Sequence, residues 1–194
     1  RERFETVGAA LGISVDVQVS DGSQPVGRGI GPALEARDVL AVLRREADAP
    51  DDLRERALNL AAHVLEMSPQ VKTGTGARMA AQILDSGRAW TKFLAICEAQ
   101  GGFREPQVAP LTRTIVSQHT GECVAVDNRR IAQVAKLAGA PLSLAAGVDL
   151  HVRLGQRVER GAALYTIHAE APGERDYALS FATHHPDIVR VESR

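Results

Sequence analysis

The spacing of apolar positions divides the chain into recognisable elements. Residues 13–19, Ile-Ser-Val-Asp-Val-Gln-Val, alternate apolar and polar with the β-branched residues on one side, which predicts a strand. A glycine-dense turn runs from Asp21 to Pro32. Glycine there permits positive φ and close backbone approach, and Pro32 suits the first turn of a helix. Ala33, Ala36, Leu40, Leu43 and Ala47 then recur at spacings of 3, 4, 3 and 4, one apolar helical face. Strand, glycine turn and helix form the repeating unit of an α/β domain.

A second helix is predicted after Pro50-Asp51-Asp52, whose acids suit the positive end of its dipole. Its stripe is Leu53, Ala57, Leu60, Ala61, Val64 and Leu65. Two shorter helices, about 75–86 and 88–100, are separated at Asp85-Ser86-Gly87 and ended by Gly101-Gly102. Trp90, Phe93, Leu94 and Cys97 on the later one are expected in the core. Past Pro106 and Pro110, Thr112–Ser117 and Glu122–Val126 read as strands joined through Thr120-Gly121. Asp127 or Asn128 can cap a helix over 129–138. Short β segments follow near 148–153, 157–159, 163–169 and 176–182. The expectation is an α/β fold: the end of a central α/β domain over 1–107, then a small α+β, barrel-sandwich-like domain over 108–194.

Composition narrows the functional classes. The 194 residues carry 23 Lys+Arg against 24 Asp+Glu, a net charge of −1, which removes the electrostatic case for a dedicated nucleic-acid or anionic-membrane binder. No run of about 18 apolar residues occurs. Cys97 and Cys123 have no CxxC or metal-ligand spacing, so a disulfide scaffold and a zinc knuckle are not expected, and a reduced, cytoplasmic compartment is. The first residue is Arg1 and no charged-plus-apolar leader follows, so the chain reads as a piece of something longer.

Several motifs invite chemistry. Gly27-Arg28-Gly29-Ile30-Gly31-Pro32 suggests a dinucleotide loop, but the third glycine of GxGxxG would fall on Pro32, so a strand-to-helix turn is preferred. Lys72-Thr73-Gly74-Thr75-Gly76-Ala77-Arg78 is either a phosphate cradle at a helix start or a local helix cap; Walker spacing is absent. His184-His185 is the only histidine cluster, and a metal site there is the less favoured reading. No GxSxG, HExxH or paired-carboxylate arrangement emerges, so no catalytic residue is assigned. The segment from Gly147 to Ala169 resembles the half-barrel of biotinyl and lipoyl carrier domains. Those domains join their cofactor to a lysine at the tip of the following hairpin, where Ala169-Glu170-Ala171 stands; Lys72, Lys92 and Lys136 are the only lysines.

Three stretches together resemble the thymidine/pyrimidine-nucleoside phosphorylase family: Asp21-Gly22-Ser23-Gln24-Pro25-Val26-Gly27-Arg28-Gly29-Ile30-Gly31-Pro32 and on to Leu40; Ser86-Gly87-Arg88-Ala89 through Phe93 to Gln100-Gly101-Gly102; and Ala146-Gly147-Val148-Asp149-Leu150 through Leu164-Tyr165-Thr166-Ile167-His168-Ala169. The first is most similar to the type-2 branch, which includes the AMP phosphorylases. The resemblance implies reversible phosphorolysis of a pyrimidine nucleoside such as thymidine to a free base and a sugar 1-phosphate, in a cleft between a helical and an α/β domain. It also implies a homodimer or larger homo-oligomer. The family's phosphate loop, and the serine and lysine that grip the base, precede Asp21-Gly22-Ser23-Gln24-Pro25 and match nothing here. The chain therefore resembles the C-terminal part of such an enzyme and is expected to be inactive alone. The alternatives are a fragment of an AMP-type phosphorylase and a non-catalytic assembly module. No cofactor is expected to be required. The resemblance carries a monovalent cation (K+) site onto Val26, Gly29 and Asp38, with Asp38 as a solvated helix residue the other reading.

Overall fold

Helices dominate the first hundred residues of the computed structural model, which describes residues 1–193. They are α1 (Glu2–Ala10), α2 (Pro32–Arg44), α3 (Asp51–Glu66), α4 (Gly76–Asp85) and α5 (Arg88–Ala99). The periodicity finds α2 to α5 with small shifts at their ends. Pro32 stands at the start of α2, and Arg45, with φ 62°, turns the chain out of it before Ala47 is reached. The amides of Arg45 and Glu46 close that end on Val42 and Ala41. Helix α1 was not foreseen.

Residues 13–19 correct the reading of that segment. They are not a strand, and they pair with nothing among the described residues. Alternation makes a strand possible, but a ladder also needs a partner to hydrogen-bond with. The expected core role of α5 also fails in this chain: none of its residues is buried. Trp90, Phe93 and Phe103 instead form a half-exposed cluster, with Trp90 and Phe93 centroids 5.7 Å apart. The Arg44 guanidinium sits 5.0 Å from the Trp90 centroid.

The second half carries most of the sheet. Strands β1 (Gly29–Ile30), β2 (Leu111–Val116), β3 (Gly121–Val126), β4 (Gly147–Leu150), β5 (Arg157–Val158), β6 (Ala163–Ala169) and β7 (Val189–Glu192) form two sheets, ordered β1-β4-β6-β2 and β5-β3-β7. Every strand pairing among the described residues is antiparallel. β2 and β3, adjacent in sequence, lie in different sheets. β1, from the glycine turn, joins the sheet of the later residues through Gly29 opposite Asp149 and Ile30 opposite Val148.

Helix α6 (Asn128–Leu137) begins where the cap residues predict it, the Asp127 carboxylate accepting the amides of Arg129 and Arg130. Helix α7 (Pro172–His184) replaces the β segment expected near 176–182. Tyr177, Leu179 and Phe181 imitate strand alternation, but Pro172 starts a helix and Ala178 and Ala182, four apart, are the residues it buries. The presumed hairpin tip at 169–171 is thus the entry to α7. Both helices pack on the main buried cluster, which includes Cys123, Ile131, Val134, Val148, Leu150, Tyr165, Ile167 and Ile188. Burial pushes the Tyr165 phenol up to about 12 and raises the Cys123 thiol.

Candidate functional site

The glycine turn is the most heavily constrained loop of the chain, and the constraint comes from acids. Asp38 lies nearly two helical turns into α2 and is only 5% exposed, so it is not the solvated helix residue of the simpler reading. Its Oδ2 accepts the amides of Arg28 at 2.5 Å and Gly29 at 2.7 Å. Its Oδ1 lies 3.5 Å from Nε of Arg28. Asp52, at the start of α3, accepts the amide of Gly27 at 3.2 Å. Glu35 accepts the amide of Gly31 at 3.0 Å. The backbone N–H groups that a phosphate would need are therefore held by the protein's own carboxylates, and a dinucleotide cradle does not exist here.

Glycine is required at two of these positions for steric reasons. A Cβ on Gly29 would lie 2.3 Å from the Leu34 carbonyl carbon, and one on Gly31 2.4 Å from the Ala146 oxygen. Gly31 also adopts φ 132°. The close approach lets β1 lie under α2 and reach β4.

Side chains from the later module tie the same loop from the other side. Arg153 donates to the carbonyls of Gly27 at 2.7 Å and Pro25 at 3.4 Å, and lies 3.5 Å from Asp52. Gln24 accepts the amide of Leu154 at 2.9 Å. Asn128 donates to the Gly22 carbonyl at 2.8 Å. These bonds bridge residues more than a hundred positions apart, so the loop is a joint between the helical layer and the β module. Sequence reading missed Glu35, Asp52 and Arg153. The acids were visible only as helix-start residues, and Arg153 carried no local signal.

The residues carried over for a cation, Val26, Gly29 and Asp38, lie on this loop and helix. Asp38 faces two N–H donors and a guanidinium. That is the coordination of a carboxylate neutralised by donors, and a cation there would have to displace the arginine. The arrangement does not fit a monovalent ion. No group of three or more His, Cys, Asp or Glu side chains able to hold a metal occurs among the described residues.

The second glycine motif resolves the same way. Gly74 and Gly76 donate to one oxygen of Glu66, from the last turn of α3, at 3.0 and 2.8 Å. These two bonds hold the Glu66 carboxyl below its usual range. Lys72–Arg78 is thus a helix start capped by a neighbouring helix rather than a phosphate cradle. His184 and His185 bond the carbonyls of Ser180 and Phe181 on their own helix, and His185 stacks on Phe181 at 4.2 Å. Neither is placed as a metal ligand. One further histidine stands out on β6. His168, opposite Gly147 and Thr112, has a buried Nδ1 without a hydrogen-bond partner. Burial lowers its pKa, Arg37 and His151 lower it further, and Asp149 opposes them.

The antiparallel β module with its two covering helices matches a known domain. Residues 123–188 match the pyrimidine nucleoside phosphorylase C-terminal domain. Similarity to named proteins extends further along the chain. It is 54% identical over 189 residues to "Putative thymidine phosphorylase 1" of Acidovorax sp. (strain JS42), covering 97% of this chain and 37% of that protein. It is 55% identical over 185 residues to "Putative thymidine phosphorylase" of Hahella chejuensis (strain KCTC 2396), covering 95% and 37%. A Legionella pneumophila (strain Corby) protein of the same name is 52% identical over 189 residues, covering 97% and 37%. The chain therefore spans little more than a third of the length of these relatives.

Proposed function

We propose that the chain is the C-terminal part of a thymidine phosphorylase-like pentosyltransferase of the type-2 branch. The intact enzyme would catalyse thymidine plus phosphate to thymine plus 2-deoxyribose 1-phosphate, reversibly. A phosphate oxygen bonds to the anomeric carbon as the carbon–nitrogen bond breaks. The bond pair leaves on the base nitrogen, which takes up a proton. The observation that carries this reading is identity above half, over 97% of the chain, with a protein named as a thymidine phosphorylase.

Within this reading the described residues have a supporting role. The amides of the glycine loop are engaged by Asp38, Asp52 and Glu35, and those of the 72–78 turn by Glu66. Phosphate and nucleoside would be held by the rest of the enzyme, and the present chain would be inactive alone. The loop joint, bridged by Arg153 and Gln24, would hold the β module at a fixed angle to the helical layer, which bears on positioning of reactants in a closed cleft. The intact enzyme would work as a homodimer or larger oligomer in the cytoplasm. No described helix is long and apolar enough to cross a membrane.

The test is phosphorolysis by a full-length version carrying this chain. Thymidine, uridine and AMP are each supplied with excess inorganic phosphate, and free base is separated and measured. Release from thymidine is the expected result, release from AMP alone would move the assignment to the AMP-type branch, and release from none would refute it. The chain by itself should release no base.

A further inference from the structure

The two oxygens of the Asp38 carboxylate have different surroundings. Oδ2 takes the amides of Arg28 and Gly29 and is walled in by Gly27, where an added Cβ would lie 2.8 Å from it. Oδ1 faces Nε of Arg28 at 3.5 Å. The Asp38 side chain is 8% exposed and that of Arg28 37%, so the acid is the buried member of the pair and the arginine closes it off from solvent. Nη1 of the same guanidinium lies 3.9 Å from the exposed Asp48.

A carboxylate withdrawn from water needs hydrogen-bond donors and a countercharge. The two amides supply the donors, so a cation has to supply the charge. The resemblance carries a monovalent ion onto Val26, Gly29 and Asp38. Oδ1 is the side of Asp38 that such an ion would use, and Arg28 stands there. Asp52, across the turn, is matched in the same way: it takes the amide of Gly27 and lies 3.5 Å from Arg153. Arg28 also lines two open cavities, one of about 380 Å³ on the Asp52 side and one of about 260 Å³ on the Arg37 side. Shortening this side chain would open Oδ1 of Asp38 to both.

We propose that the Arg28 guanidinium is a built-in counter-ion, standing in the place of the monovalent cation that the resemblance assigns to Val26, Gly29 and Asp38, and that its loss turns Asp38 into the anchor of a potassium site. A tethered cation has a fixed local concentration, so the loop keeps its form whatever the salt. A dissolved ion would instead stabilise the folded chain more as its concentration rises. The expectation of an ion rests on the reading of the chain as part of a phosphorylase; the pairing of Arg28 with Asp38 does not depend on turnover.

The experiment compares melting of the chain in potassium chloride and in choline chloride at equal ionic strength. Wild type should melt within about 1 °C in the two salts. Arg28→Ala should melt lower than wild type in choline and regain about 3 °C in potassium. Arg28→Lys, which keeps a tethered charge, should respond to potassium no more than wild type. Arg28→Ala combined with Asp38→Asn should not respond either, because the carboxylate that would hold the ion is gone. An Arg28→Ala chain that folds only in potassium is the same result in stronger form. A wild type stabilised by potassium, or an Arg28→Ala chain equally unstable or unfolded in both salts, would overturn the proposal. Phosphorolysis of thymidine by a full-length version carrying this chain separates the two readings. Equal rates in both salts support the inference, while release that needs potassium keeps the activity and overturns the inference. No release in either salt removes the proposed activity and leaves the melting result standing.

Discussion

The carboxylate of Asp38 accepts the amide of Gly29 at 2.7 Å from within helix α2, tying strand β1 to the helix that follows it. The bond is charge-assisted and buried, so its loss leaves two amides, those of Arg28 and Gly29, without an acceptor. Asp38→Ala should destabilise the chain by about 3 kcal/mol and Asp38→Asn by about 2 kcal/mol, since the amide keeps one acceptor oxygen but loses the charge. Urea unfolding should show a lower midpoint with an unchanged slope. Exchange of potassium for choline should not move the wild-type midpoint.

Gly29 and Gly74 separate two reasons for glycine. A methyl at position 29 would meet the Leu34 carbonyl and the Glu35 amide at 2.3 to 2.7 Å, all backbone atoms that the helix holds fixed. Gly74 has φ 82° but open space around it. Gly29→Ala should cost more than about 3 kcal/mol or prevent folding, while Gly74→Ala should cost about 1 kcal/mol of backbone strain. Thermal melting of the two variants side by side checks the order.

How much of this was legible follows from what each signal needs. Helices α2 to α5 announce themselves because a 3.6-residue period is local, and Asp127 marks the start of α6 because a cap bonds two or three residues away. The 13–19 pattern is also local, but pairing is not, so alternation alone could not say that the strand lacks a partner. At 177–182 alternation misled, and the four-residue spacing of Ala178 and Ala182 was the better guide. Trp90 and Phe93 were legible as apolar, but what covers them was not. The glycine turn was correctly read as a turn, while its closure by Asp52 and Arg153 depends on contacts 25 and 126 residues apart in sequence.

Glu66 occupies an anion site that the chain builds for itself. Its carboxylate takes the amides of Gly74 and Gly76, where a bound phosphate would otherwise sit. Glu66→Ala should lower the melting temperature and create an anion dependence absent from the wild type: added phosphate or acetate should restore part of the loss, and chloride should not. Because the folded-state pKa of Glu66 is depressed, its stabilisation is present above the ordinary carboxylate value and disappears as pH falls through the folded one. The melting difference between wild type and Glu66→Gln should therefore close as pH falls through the depressed folded-state value.

His168 adds to the same acid limb of the pH profile from a higher pH. Burial of the imidazole, with Arg37 and His151 adding positive potential, lowers its folded-state pKa below the usual 6.5. The unfolded chain then binds a proton that the folded chain does not between those two values, so stability falls as pH drops through that window and levels off below the folded pKa. His168→Gln removes the titration while keeping a polar side chain of similar reach. Melting curves from pH 8 to pH 5 should show the wild type losing stability relative to His168→Gln below about pH 6.5. Asp149→Asn, which removes the one nearby charge favouring the imidazolium, should shift that loss to still lower pH when read on the His168 ring resonances by NMR. A ring resonance that titrates at the ordinary value would mean that the sheet face is open to water at His168, contrary to the burial of its Nδ1.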